Sequence, residues 1–383
     1  MKNSKNNQKS ETIIKNNINT NSKLNEKQSP RELIAFKKII QEENCNFIVF
    51  KSIYDLILLV FIKIKHSSII TYNLIDNKKI FEIKNVKAIN INELKHYLDK
   101  KNKRDLLSSI TLRENNIKVW NLNNLECILN INFRDGNYFF NYNSICFINN
   151  GNDIHLIASS IILPQTQLIR IYNLVGEKIK EINNSKLRNY FVDTFYDDKF
   201  SKNYIIISTN ADIRALDYND TKTIKHYVPV SEQPVKVTSI KNVELNRKLH
   251  FDDNHVFKDV EYAKGPLYVI VQKCGNITKL FAAMKENTIK IWYFHSTQLL
   301  CEINIPKSTI KGICLWDEEN LLIGTGSGLK LVDLNKNKLV KNFADLYNIV
   351  RINICTIPKY GKCLITENYN EINLWINKKL IKK

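Results

Sequence analysis

From about residue 45 onward the apolar positions fall in short runs rich in β-branched and aromatic residues, such as NFIVF, NYIIIST and PLYVIVQ. Turn residues separate the runs and no long helical period intervenes, which predicts an all-β domain. One pattern repeats. It reads apolar, any, apolar, anchor, as in IKVWNL at 117–122, and it recurs as IITYNL, LIRIYNL, IRALDY, IKIWYF, LKLVDL and INLWIN. The anchors are Tyr72, Trp120, Tyr172, Leu216, Trp292, Val332 and Trp375, and three of the four tryptophans in the chain stand at this position.

The surroundings of the frame repeat as well. Before most copies comes an apolar run ending in small residues, such as LIASS or LLIGT. After them comes an apolar residue seven or eight positions past the anchor: Ile80, Ile128, Ile179, Ile224, Leu300 and Leu339. In the last copy Leu380 comes only five past Trp375. The anchors are spaced by 48, 52, 44, 76, 40 and 43 residues. A period of roughly 40–50 residues with about four strands per unit predicts a β-propeller, and seven frames predict seven blades. Trp292 is expected to be a core anchor between neighbouring blades.

The N-terminal part reads differently. Residues 1–29 are mostly Asn, Lys and Ser, too polar to offset their chain entropy, and are expected to be disordered. SPRE at 29–32 places Ser at an N-cap, Pro at the first helical position and Glu three residues after the Ser. Leu33, Phe36 and Ile40 follow on one helical face with Ile39 beside them, which predicts one amphipathic helix over 30–43. The alternative for the same residues is an extra strand that helps close the fold. The organisation expected is therefore a tail at 1–29, a helix at 30–43 and a propeller at 44–383.

The repeat resembles the WD40 family over about residues 45–383, most clearly at the frames of Trp120, Trp292 and Trp375. In that family a carboxylate commonly stands six residues before the tryptophan, and Glu114 and Glu286 match that place. The family's Gly-His dipeptide is absent, and no frame ends in Trp-Asp; Trp316-Asp317 lies between the first and second strands of its unit. The resemblance implies a protein-interaction scaffold. Its departures argue against the family's internal hydrogen-bond tetrad and for a softer, divergent ring.

Composition changes this picture little. The formal charge of +19 invites nucleic acid or a membrane surface as partner. Yet lysine far outnumbers arginine and the chain is crowded with Asn and Ile, as A/T-rich codons alone would give. Eight cysteines include no CxxC pair. Six of them (Cys45, Cys127, Cys146, Cys301, Cys314 and Cys355) lie in apolar runs, which predicts buried free thiols in a reducing compartment, cytoplasmic or nuclear. The N-terminus shows no secretory signal, and LILLVFI at 56–62 is too short to span a membrane and reads as a buried strand.

Three motifs suggest chemistry and each has a plainer reading. GTGSG at 324–328 looks like a phosphate loop, but a strand in the repeat frame follows it, so it reads as a hairpin turn. LIRIYNLVGEKIKEI at 168–182 resembles the strands before a phosphoinositide site, but the double arginine of that propeller family is missing. HFDDNH at 250–255 offers imidazoles and carboxylates without the rest of a coordination shell. No catalytic constellation, cofactor site or metal site is expected. The spacing of 76 between Leu216 and Trp292 leaves an insertion at 229–263, between a strand ending near Val228 and a strand at 266–272. Loops of that length are often functional, so Lys236, Arg247, His250, Asp252, Asp253 and His255 are the candidate partner-binding residues. The function expected is a non-catalytic protein scaffold; the alternatives are an RNA-associated propeller and a phosphoinositide-binding one.

Overall fold

In the computed structural model the chain forms seven four-stranded antiparallel sheets. The structure describes residues 29–40 and 46–380 apart from several connecting segments, the longest being 133–139 and 228–265; residues 1–28 and 381–383 also lie outside the described residues. Each sheet is a meander of strands consecutive in sequence. Blade 5 shows the plan: Pro266–Cys274, Ile277–Met284, Thr288–Tyr293 and Leu299–Asn304. The first strands of successive blades touch one another all the way round, from Phe47–Lys51 of blade 1 to Arg351–Ile357 of blade 7 and back, so the ring is closed.

All seven anchors fall on third strands, as the frame implies. Six of them are buried and Tyr72 is half-buried. The core consists of seven apolar clusters, each at the junction of two adjacent blades and each including one anchor or, for Tyr72, packing against it. No sheet buries both faces alone, which is why the repeat has no stability except as a ring. Trp292, for example, packs with Tyr204, Ile206 and Tyr227 of the preceding blade.

The apolar residue that follows each anchor has a structural cause. At the anchor the third and fourth strands slip by one residue: Thr71 faces Phe81 while Tyr72 faces Lys79, and Ile80 is left over. The same bulge leaves over Ile128, Ile179, Ile224 and Leu300. In blade 6 the residue left over is Val340, and Leu339 faces Val332, so the sequence reading was one position off there. A bulge adds local twist, and here it adds it at the same height in every blade.

Blade 7 corrects the N-terminal expectation. Residues 33–40 are not helical; Leu33–Ile40 is a strand paired with Glu371–Asn377, and it supplies the fourth strand of the last blade. That outcome matches the alternative reading, an extra strand closing the fold. It also explains why Leu380 comes so soon after Trp375: the last copy has no fourth strand of its own, and the chain turns in a 3-10 segment at Lys378–Leu380. The added strand repeats the bulge of the other blades, with Ala35 opposite Trp375, Lys37 opposite Leu374, and Phe36 left over. A second slip between Lys38 and Ile40 leaves over Ile39. Two bulges in eight residues destroy the two-residue alternation, so the apolar spacing imitates a helix. The cap at SPRE does form. Ser29 accepts a hydrogen bond from Arg31 N at 3.3 Å, but the turn is only Pro30–Glu32. It is latched to blade 6 by Arg31 on Asp333 at 3.1 Å and to blade 7 by Asn377 Nδ2 donating to Ser29 O at 3.2 Å.

GTGSG is the hairpin between the second and third strands of blade 6, Asn320–Thr325 and Gly328–Asp333. Gly324 has a packing reason: a Cβ there would lie 2.8 Å from Ile349 Cγ2. The seven described cysteines are free, but Cys127 is exposed on an outer strand, against the expectation of burial.

Candidate partner-binding face

A propeller has two faces. The hairpin face carries the turns from first to second and from third to fourth strands. The connection face carries the turns from second to third strands and the blade-to-blade connections. The six residues picked from the sequence, Lys236, Arg247, His250, Asp252, Asp253 and His255, lie outside the described residues, as does the whole 229–263 segment they belong to. The described ends of that connection are Tyr227, closing the outer strand of blade 4, and Pro266, opening the inner strand of blade 5.

The hairpin face is described almost completely, and its turns are written in the sequence. In five blades the residue after the anchor is Asn or Asp: Asn73, Asn121, Asn173, Asp217 and Asp333. Its side-chain oxygen accepts from the backbone N–H two residues on, at 3.0 Å for Ile75, 3.1 Å for Asn123, 3.2 Å for Val175, 2.9 Å for Asn219 and 3.1 Å for Asn335. This is the Asx turn. It fixes what the tip presents. In blades 1 and 3 the residue after the Asx is leucine, which turns inward, and the next is Ile75 or Val175, which is exposed. Gly176 completes the turn of blade 3 at φ +95°, where a Cβ would also press on Leu129 at 3.2 Å.

Ten large apolar side chains are exposed among the described residues, and all gather on this face or at strand ends that reach it. Tyr54 and Phe200 stand on first-to-second hairpins, and Ile75, Leu125 and Val175 on third-to-fourth turns. Ile80, Ile179 and Leu299 lie within the first three residues of outer strands rising from it, and Tyr196 and Ile277 at strand ends beside it. Leu125 holds φ +62°, a conformation a leucine takes at a cost. All ten belong to blades 1–5. In blade 6 the corresponding Trp316 is buried beneath Lys362 and the tips carry Asp317, Glu318, Glu319 and Lys336, and the first hairpin of blade 7 exposes Lys359. Exposed apolar side chains gathered on one face are candidate contacts for a partner.

Two concavities open on the ring. The axial channel holds about 660 Å³, lined by residues of all seven inner strands. Its polar wall is a network across blades 2, 3 and 4. Glu93 accepts from Ile145 N at 2.8 Å and from Ser144 Oγ at 3.4 Å, and Lys95 lies 3.6 Å from both Glu93 and Asp193. Burial lifts the Glu93 carboxyl above its ordinary range, against the pull of Lys95. Farther round, burial pushes Glu367 up to about 7 although Arg351 lies 3.1 Å away. These carboxylates are engaged with their own neighbours: the Glu93–Lys95–Asp193 network ties blades 2, 3 and 4, and Arg351–Glu367 is a cross-strand pair within blade 7.

The second concavity is a groove of about 950 Å³ on the hairpin face between blades 2 and 3. One lip is the turn KKNKR, residues 100–104, joining Ile91–Asp99 to Arg104–Thr111. Asp99 accepts from Asn102 N at 3.1 Å and from Arg104 Nε at 2.8 Å. Burial opposes ionisation of Asp99, but these bonds outweigh it and hold the carboxyl below the usual range. Arg104 is thus spent on the turn, while Lys100, Lys101 and Lys103 are exposed. The other lip is Leu174, Val175 and Ile179, and His155 lies in the floor bonded to Tyr218 of blade 4. Burial lowers the pKa of His155, so it is a neutral floor.

Sequence reading missed this face because it weighed loop length. The signal was present as Asx-Leu followed by Ile or Val directly after an anchor. Among the described residues no His, Cys, Asp and Glu side chains group in threes to hold a metal ion, and no helix is long and apolar enough to cross a membrane. In comparisons with protein-family models and with curated proteins, the chain matches none.

Proposed function

We propose that this protein is a non-catalytic scaffold of the WD40 type that presents its hairpin face to protein partners within a larger complex, in a reducing cytoplasmic or nuclear compartment. The observation that supports it is the gathering of exposed apolar side chains on that face, all of them, among the described residues, in blades 1–5. A rigid ring holds them in fixed relation, so a partner needs no ordering of the scaffold to meet them. Propeller folds commonly serve this way, and the fold alone would be a weak ground. The 229–263 segment is proposed as a second contributor, on the opposite face.

The test is affinity purification of the full chain from lysate, at about 0.1 M and at about 0.5 M salt, where screening lengths differ roughly twofold. Protein partners retained at the higher salt support the reading. Material that leaves steeply with salt and is nuclease-sensitive instead supports a phosphate-driven nucleic-acid association. Replacing Tyr54, Val175 and Phe200 together by serine is expected to strip those partners while the melt is kept. Partners that all survive this change contradict the reading. Replacing 231–262 with a Gly-Ser linker tests the second contributor in the same way.

A further inference from the structure

We propose that the connection-face mouth of the axial channel binds a small anion that carries a phosphoryl group. The site stands apart from the hairpin face, so the scaffold reading neither supports it nor depends on it. Its geometry starts from a slip in the ladder. In blade 6 the inner strand Ile310–Leu315 pairs Ile310 with Thr325 and Gly312 with Gly324, and Lys311 is left over. A bulge re-aims the side chain of its extra residue. Lys311 lines the channel, half-buried, and makes no hydrogen bond or ion pair among the described residues. Arg351 opens the neighbouring inner strand, Arg351–Ile357 of blade 7, and lines the same channel. The next residues of the two strands meet: a Cβ on Gly312 would lie 3.4 Å from Ile352 Cγ1. Two cations therefore stand on adjacent strands where the inner strands leave the connection face.

Their carboxylate neighbours do not cancel them. Arg351 gives one nitrogen to Glu367 at 3.1 Å, and its side chain stays 38% exposed. Burial pushes Glu367 up to about 7, so this partner is only partly ionised at neutral pH. Among the described residues lining the channel the acid is Glu93, and Lys95 already lies 3.6 Å from it on the blade 2 wall. Blade 5 adds a third donor. Tyr268 lines the channel, and its phenol makes no hydrogen bond among the described residues. Burial raises its pKa, and Arg351 is near enough to oppose that rise. Lysine, arginine fork and phenol thus converge from three successive blades. A phosphoryl group spreads its oxygens tetrahedrally and meets donors from three directions, whereas a carboxylate offers two oxygens in one plane. The channel volume of about 660 Å³ lies within the range that small ligands fill. The GTGSG turn beside the mouth takes no part, because Gly326 N donates to Thr309 O at 3.2 Å and Ser327 N to Ser308 Oγ at 3.0 Å.

The experiment titrates the full-length chain with inorganic pyrophosphate by isothermal calorimetry at about 0.15 M salt. In parallel, the chain is sedimented with phosphatidylcholine vesicles, with and without a phosphatidylinositol phosphate. Saturable pyrophosphate binding at one site per chain is expected. Lys311→Glu is expected to weaken it on the order of tenfold or more, and Tyr268→Phe by roughly a few fold, the scale of single charged and neutral contacts. Lys359→Glu makes the same charge change on the opposite face and is expected to leave binding as it is. All three variants keep the wild-type melt. Sedimentation with the phosphoinositide vesicles that Lys311→Glu abolishes assigns the phosphoryl group to a lipid headgroup. Pyrophosphate binding without sedimentation assigns it to a free phosphate compound. Either result upholds the site. Binding undiminished in Lys311→Glu, or weakened as much by Lys359→Glu, is adsorption to a basic surface and overturns it. Absence of binding in both assays overturns it as well, and the lysate purification decides the scaffold reading separately.

Discussion

Blades 5 and 7 carry tryptophan at the same register position but hold it by different means. Blade 5 is one continuous stretch of chain, and Trp292 stands in an aromatic nest. Tyr227 of blade 4 meets it edge-on at 6.2 Å between centroids and donates its hydroxyl to Phe294 O at 2.6 Å. Blade 7 is assembled from both ends of the sequence, and its tryptophan is wired by a polar contact: Trp375 Nε1 donates to Thr366 Oγ1 at 2.9 Å. That bond is the link between Trp and Ser/Thr that the WD40 resemblance implies, and the departures from the family motif had argued against it. The blade that must recruit a strand from the far end of the chain, with Leu33 opposite Asn377 and Ile40 opposite Ile372, thus bonds its tryptophan directly, while in the continuous blade the tryptophan is packed and the hydrogen bond is made by its neighbour Tyr227. Orientation matters most where chain connectivity supplies least.

The largest expected effect breaks the contrast outright. Deleting residues 1–40 removes the fourth strand of blade 7 and opens the ring, so the cooperative thermal transition should be lost. Deleting 1–28 leaves Leu33–Ile40 and its latch on Asp333 and Asn377 in place, and the transition should persist. Equal melts for the two deletions would refute closure by the N-terminal strand.

Next come the anchors. Trp292→Ala is expected to cost about 3–5 kcal/mol, the usual range for truncating a buried large aromatic side chain. Thr366→Val keeps the shape but orphans the indole N–H of Trp375, for an expected loss of about 1–3 kcal/mol by chemical denaturation. A neutral result would reduce the wiring of blade 7 to packing like that of blade 5.

The third effect is pH dependence, and it belongs to blade 7. Burial raises Glu367 to about 7 from an unfolded value near 4.5. The folded state therefore binds the extra proton, so stability declines as pH rises through this window and is lowest above about 7. The decline should be on the order of 3 kcal/mol, from about 2.5 pKa units at about 1.4 kcal/mol each. Glu367→Gln should flatten the profile between about pH 4.5 and 7 and be the more stable form at pH 8. A wild-type curve that rises with pH there would contradict the burial. The smallest stability effect is expected on the hairpin face, where Val175→Ser should change the melt by no more than about 0.5 kcal/mol while weakening partner capture.

The ring was legible because an anchor buried at every blade junction must recur in sequence at every blade. Even the bulge left a trace, in the apolar residue that follows the anchor in blades 1–5. The closing strand was ambiguous because its two bulges break the alternation that marks a strand, and Leu33, Phe36 and Ile40 then fit a helical face. The hairpin face was less legible. Val175 reads as one more strand residue until Asn173 is seen to fold the turn that lifts it into solvent. The groove depends on Lys100 and Val175 from different blades, and no local pattern joins them.

The central claim, that partners dock on the hairpin face, is tested most directly by site-specific photocrosslinking in cells. Benzoylphenylalanine is placed singly at Val175 and Phe200 on that face, and at Ser327 and Asn368 in second-to-third turns on the opposite one. The account expects discrete protein adducts from positions 175 and 200 and none from 327 and 368. Adducts confined to 327 and 368 would contradict it.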